Sequence, residues 1–145
     1  MANAERGMTR RELLRMAVPG RSLLAPPHLA LNRAPCTGCG LCVRDCPKEA
    51  ITASGEARLE IVFRSARCDA CGLCVEACPE KCLKLVSAPA PAGPVVLFDD
   101  DIVRCERCGE AIGTRAMIER IRAKLAPART AGVALCPACK RSSRG

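Results

Sequence analysis

A 16-residue stretch occurs twice in this chain of 145 residues, and it constrains the fold more than any other feature. The first copy, CTGCGLCVRDCPKEAI, runs from Cys36 to Ile51, and the second, CDACGLCVEACPEKCL, runs from Cys68 to Leu83. The copies share four cysteines, a Gly-Leu-Cys-Val core and a closing Cys-Pro. A repeat at a fixed spacing of 32 residues indicates one structural unit that has been duplicated.

Each copy reads C-x2-C-x2-C-x3-C-P, so its first three thiolates recur at every third residue. Such a tight loop can bring three sulfurs to three corners of a cubane cluster, and Gly40 and Gly72 supply the backbone freedom that it needs. A disulfide framework requires an oxidising compartment and gains nothing from this spacing. Zinc knuckles use pairs of cysteines, not runs of four before a proline. The spacing therefore favours two [4Fe–4S] clusters.

Residues 35–86 resemble the bacterial two-cluster ferredoxins, in which the fourth cysteine of each run ligates the other cluster. The expected fold is α+β, a small two-cluster ferredoxin fold followed by a zinc-ribbon-like module. The crossed pattern predicts one cluster held by Cys36, Cys39, Cys42 and Cys78, and a second held by Cys68, Cys71, Cys74 and Cys46.

Four further cysteines form two CxxC knuckles, Cys105 with Cys108 and Cys136 with Cys139, which lie 27 residues apart. Each knuckle can give both sulfurs to one tetrahedral ion, so the set predicts a structural zinc. A rubredoxin-like iron, a third cluster and a thiol–disulfide pair are the alternatives. Between the knuckles, residues 115–125 predict a helix with its apolar positions on one face, namely Ile118, Ile121 and Leu125.

The combination of motifs resembles the iron–sulfur subunit of formate hydrogenlyase and related membrane-bound nickel–iron hydrogenases. The matching positions are the eight cluster cysteines together with Cys105, Cys108, Cys136, Cys139, Lys140 and Arg141. This resemblance implies a non-catalytic subunit that passes electrons between a dehydrogenase module and a hydrogenase or quinone module. A free soluble ferredoxin and a structural or assembly adaptor that uses the zinc module are the alternative hypotheses.

Composition limits the cellular compartments and the classes of partner molecule that we expect. The formal charge of +8 falls to about +2 once two clusters and a zinc site each contribute about −2. The chain has no Trp or Tyr to stack on bases, so we expect no nucleic-acid partner. Thirteen cysteines in metal-type spacing indicate a reducing compartment. Without an 18-residue apolar run to span a membrane, we expect a cytoplasmic protein, or one peripheral to a complex on the inner face.

Four segments are predicted. Residues 1–34 form a basic docking segment, with an amphipathic helix at 9–18 as the alternative to a twin-arginine export signal. Residues 35–86 form the ferredoxin domain, 87–94 a Pro/Ala linker, and 95–145 the four-cysteine module.

Several single positions also carry predictions. Alternation at Leu59, Ile61 and Phe63 predicts a half-buried strand. Cys82 stands opposite Ala50 in the repeat, so we expect it to be a small buried residue. The lone histidine, His28, is expected at the surface, and Asp99 to Asp101 are expected to end a strand at 95–98 as a solvated turn.

Overall fold

The computed structural model describes residues 28–130 and 132–143. The predicted helix at 9–18 and the twin-arginine motif lie outside these residues. The strands are β1 His28–Leu31, β2 Ile51–Ser54, β3 Arg58–Phe63, β4 Leu83–Val86, β5 Val95–Arg104 and β6 Ala111–Thr114. The helices are α1 Leu41–Arg44, α2 Leu73–Glu76, α3 Arg115–Lys124 and α4 Pro137–Ser142, with 3-10 turns at Ser65–Arg67 and Pro127–Arg129. The predicted α+β class is confirmed.

The two copies of the repeat fold alike. In each, a glycine in the left-handed region, with φ of 77° at Gly40 and 80° at Gly72, precedes a one-turn helix. This conformation is strained for residues with a Cβ, which explains the glycine at both positions. The Cys-Pro follows each helix, and a short strand, β2 or β4, closes each copy.

The strands form two antiparallel sheets. One pairs β1 with β4, and the other has the order β2-β3-β5-β6. Because β5 pairs with β3, the larger sheet joins the repeat region to the segment that follows the Pro/Ala stretch. The segment that carries the two CxxC knuckles is thereby attached to the repeats by backbone hydrogen bonds.

The core lies between the repeat strands and β5. Ile61 and Phe63 are buried and the residues between and before them are more exposed, so the predicted alternation along β3 is confirmed. Phe98 from β5 and Leu29 from β1 join the same cluster of buried side chains. No helix in the described part of the chain is both long and apolar enough to cross a bilayer.

The predicted end of β5 at the three aspartates is wrong, because the strand continues to Arg104. Arginines on neighbouring elements neutralise the carboxylates. Asp99 accepts hydrogen bonds from Arg33 and Arg58, and Asp101 accepts one from Arg58 at 2.9 Å. Paired in this way, aspartates can occupy a strand that their low β-propensity disfavours.

His28 also differs from its prediction, since it is half-buried at the start of β1 opposite Val86.

Helix α3 begins and ends within a residue of its prediction, and Ile118 is buried as expected. Ile121 does not share that environment. Its side chain is 41% exposed, because the surface that α3 packs against covers only part of the apolar face.

This difference gives a matched test of packing. Ile118→Ala should lower the free energy of unfolding by about 2–5 kcal/mol, the usual cost of truncating a buried aliphatic side chain. Ile121→Ala should change it by less than ~0.5 kcal/mol, because the position is substantially exposed. Anaerobic guanidinium unfolding followed by circular dichroism compares the two midpoints. Equal shifts would contradict the packing described for α3.

Candidate metal centres

Cysteines from both copies line the first of two cavities. Cys36, Cys39 and Cys42 of the first copy lie around it together with Cys78 of the second. The space is about 430 Å³, part of it open to solvent. Ile61 and Phe98 provide apolar walls. These four cysteines are the ones predicted to hold one cluster.

The second cavity mirrors the first. Its cysteines are Cys68, Cys71 and Cys74 of the second copy and Cys46 of the first. Ile51 and Phe63 line it, and its space is about 320 Å³. The structure thus brings together the residues of both predicted sets, each crossed between the copies.

The donor sets fit iron–sulfur clusters. Each cavity offers the four sulfurs of one predicted set, the ligands that such clusters take, and apolar side chains that restrict water. Among the described residues, only the C-terminal cysteines form a group of three or more whose ligand atoms all lie within 4.8 Å of one another. The sulfurs around each cavity therefore do not form a compact single-ion site of that kind.

Backbone N–H groups point at several of these sulfurs. The Ala70 N–H donates to Cys68 Sγ at 3.4 Å, and the Cys82 N–H donates to Cys78 Sγ at 3.4 Å. Burial raises the pKa of Cys42 to about 12. At Cys78, burial also favours the neutral thiol, but hydrogen bonds from Cys82, Glu80 and Leu83 together outweigh it and lower the pKa. Such N–H···S contacts are among the levers that tune a cluster.

Cys82 is buried, and so is Ala50, its counterpart in the alignment of the two copies, as predicted. The structure adds a contact that the alignment does not reveal. Cys82 lines the first cavity, and its Sγ lies 3.3 Å from Cys78 Sγ. Burial, followed by the neighbouring thiol of Cys78, raises its pKa. Cys82 is thus a neutral thiol beside a predicted ligand.

The C-terminal cysteines converge on one point. The sulfurs of Cys105, Cys108, Cys136 and Cys139 all lie within 4.8 Å of one another. The first knuckle forms the turn between β5 and β6, and the second begins α4, with Cys136 as its N-cap. All but Cys108 are buried. This set could hold a single metal ion, as predicted.

Backbone N–H groups donate hydrogen bonds to two of the C-terminal sulfurs. The Cys136 N–H donates to Cys105 Sγ at 3.3 Å, and the Cys139 N–H donates to Cys136 Sγ at 3.4 Å. The N–H groups of Cys136 and Cys108 lower the pKa of Cys105 to about 6. A thiolate is the form that binds metals, so at least one ligand is available near neutral pH.

Neither Thr114 nor Phe98 was predicted to contact the loop of the first cavity. Thr114, 3% exposed, donates from its hydroxyl to the carbonyl oxygen of Thr37 at 2.5 Å. A Cβ on Gly38 would lie 2.6 Å from Phe98 Cε1 and 2.9 Å from Thr114 Cγ2. The signal was present in the alignment of the copies, because Gly38 stands where the second copy has Ala70.

The crossed arrangement predicts the effect of losing one fourth cysteine. Cys46→Ser should reduce iron by up to about four atoms and damage only the cluster associated with Cys68, Cys71 and Cys74. Cys82→Ala, a control that removes a sulfur outside both predicted sets, should leave the iron content unchanged. Anaerobic iron analysis with EPR of the reduced protein measures both. Loss of the cluster held by the first copy in Cys46→Ser would contradict the crossed arrangement.

Comparison with known proteins agrees with this geometry. Residues 28–79, which include all eight cysteines of the two runs, match the family described as a 4Fe-4S dicluster domain. No curated protein matches the chain. This part of the chain is thus similar to ferredoxin-like 4Fe-4S dicluster domains, and the match supports iron–sulfur electron transfer.

Proposed function

We propose that the chain relays single electrons through two [4Fe–4S] clusters as a ferredoxin-like, non-catalytic subunit of a multisubunit oxidoreductase of the hydrogenase or formate hydrogenlyase type. The observation that carries the proposal is the crossed lining of the two cavities, each with three cysteines of one copy and the fourth of the other. When bound, the clusters supply one-electron chemistry, and the protein supplies their placement and surroundings.

The chain's own residues would perform three tasks at each cluster. The cysteine thiolates Cys36, Cys39, Cys42 and Cys78, or Cys68, Cys71, Cys74 and Cys46, would hold it. Phe98 on the first cavity and Phe63 on the second would limit the entry of water, since both are nearly fully buried. Backbone N–H groups such as that of Ala70 would stabilise negative charge on the ligand sulfurs.

Two of the predicted cluster ligands are exposed, and they indicate where electrons would enter and leave. Cys39 lines the first cavity and Cys71 the second, and both are exposed. Each cavity therefore has an edge near the surface that a redox partner could approach. One edge would face a dehydrogenase module and the other a hydrogenase or quinone module. This role would place the protein in the cytoplasm or peripherally on the inner face of the membrane.

For the C-terminal site we propose a structural zinc. Tetrahedral zinc with Zn–S bonds of about 2.3 Å requires sulfurs roughly 3.8 Å apart. Cys108 Sγ and Cys136 Sγ lie 3.6 Å apart, which is close to that value. All four positions are occupied by protein sulfurs, so no position is left open for a substrate. The ion would fix the β5–β6 turn to α4.

Metal analysis of anaerobically purified protein tests the cofactor assignment. We expect about eight irons per chain, which two cubanes contain, and about one zinc. Cys136→Ser should lower the zinc content and leave iron near its original value. A fall in iron without a fall in zinc would overturn the zinc proposal, and iron far below about eight in the native protein would overturn the two-cluster proposal.

The subunit role needs a separate experiment. Dithionite should reduce the clusters, and a purified complex that contains hydrogenase and dehydrogenase activities should reoxidise them and bind the chain stably. Reoxidation without stable binding would favour a free ferredoxin. Clusters that stay redox-silent would favour the structural adaptor, in which the four-cysteine module binds the partner.

A further inference from the structure

The hydroxyl of Thr114 connects the C-terminal module to the loop of the first cavity. It donates to the Thr37 carbonyl oxygen at 2.5 Å and accepts from the Met117 N–H at 3.1 Å. The second contact makes Thr114 the N-cap of α3. Both hydrogen-bonding functions of this buried hydroxyl are therefore used, one within its own module and one on the repeat.

The Thr37 carbonyl and the Gly38 N–H belong to the same peptide unit. Because a peptide unit is planar and rigid, fixing the direction of the carbonyl also fixes the direction of the N–H. This peptide unit lies between the predicted ligands Cys36 and Cys39, and both of its residues line the first cavity. Thr114 thus fixes a peptide unit that lies between two predicted ligand residues.

Packing reinforces the hydrogen bond. Gly38 is buried with φ of 65°, and a methyl group added there would collide with Phe98 and with Thr114 itself. The close contacts with Thr114 and Phe98 are possible only because glycine has no Cβ, since both side chains occupy the space that a Cβ would fill. The peptide unit is therefore confined by side chains of β5 and β6 on one side.

The second copy lacks this restraint. Ala70, the counterpart of Gly38, has a similar φ of 59° and donates its N–H to the first cysteine of its run, Cys68. No side chain among residues 28–130 and 132–143 donates to the Asp69 carbonyl oxygen. The Asp69 side chain instead accepts from the Cys71 N–H at 3.3 Å. The two halves thus share the sign and size of φ at this residue and differ in what orients the peptide unit.

We propose that Thr114 is a positioning residue for the first cluster only. Its hydroxyl orients the Thr37–Gly38 peptide so that the Gly38 N–H faces Cys36, as the equivalent N–H of Ala70 faces Cys68. This contact raises the reduction potential of the cluster held by Cys36, Cys39, Cys42 and Cys78. The inference rests on the proposed two-cluster function. The sign follows from charge: an N–H donor stabilises the more negative, reduced state more strongly, so a weaker donor lowers the potential.

Thr114→Val tests the proposal, because valine keeps the shape of threonine and removes the hydroxyl. We expect one wave of an anaerobic spectroelectrochemical titration to move to lower potential while the other stays in place. Cys39→Ser and Cys71→Ser, each in one predicted set, identify the cluster to which each wave belongs. The EPR signal of the first cluster should change together with its wave.

Two controls separate positioning from loss of structure. Thr114→Ser retains the hydroxyl and should keep both waves at the wild-type potentials. Ala123→Gly weakens α3 at an exposed position without altering Thr114, and it should also leave both waves unchanged. If Thr114→Val loses about four iron atoms and Thr114→Ser retains them, the result supports the proposal.

The opposite results are equally clear. Unchanged waves in Thr114→Val, equal shifts of both waves, or equal loss of both clusters would overturn the role of Thr114 while the two-cluster function stands. A Thr114→Ser protein that behaves like Thr114→Val would do the same. Wild-type protein without reversible waves would overturn the proposed function, and this inference with it.

Discussion

Each cavity of this protein is lined by sulfur atoms from both copies of the repeat, and the rest of the structure depends on that arrangement. Cys78 reaches the cavity of the first copy and Cys46 reaches that of the second. Neither copy can complete its own set of four, so the duplicated units must fold against each other. With only two aromatic residues in the chain, the hydrophobic core is limited, and metal binding would contribute a correspondingly large share of the folding free energy.

The two halves are alike in backbone and unlike in surroundings. Glycine-capped turns and one-turn helices recur in both copies. Only the first cavity is walled by β5, through Phe98. The Arg33 guanidinium lies 5.3 Å from the centre of the Phe98 ring and also donates to Asp99, which places a cation beside the same wall. A duplicated unit has thereby acquired two different electrostatic and packing environments for one kind of cofactor.

The arginine–aspartate contacts along β5 show how the C-terminal module is attached. Asp99 pairs with Arg33 and Arg58, and Asp101 pairs with Arg58 and Arg115. The arginines are half exposed, so solvent screens each pair and its contribution to stability is small. Together they link β5 to β3 through Arg58, to the loop after β1 through Arg33, and to α3 through Arg115. Backbone pairing with β3 and burial of Phe98 provide the larger part of the attachment.

Cysteine spacing alone indicated the two cluster-type runs and the paired knuckles, because ligand spacing is a local property of the chain. Alternation of apolar residues likewise located β3, and the helical spacing of Ile118, Ile121 and Leu125 located α3. Local patterns failed where distant partners decide the outcome. The aspartates of β5 look like a turn until arginines more than ten residues away are placed beside them.

The tertiary structure alone decided what surrounds each cavity. No spacing rule relates Thr114 to Thr37, which are separated by 77 residues and meet only because β5 pairs with β3 and carries β6 to the first loop. The contact between the Cys82 and Cys78 sulfurs depends on the turn between them. The sequence by itself determined which cysteines can serve as ligands, since that depends on residue type and spacing. The fold determined which peptide units and side chains face those ligands, since that depends on long-range packing.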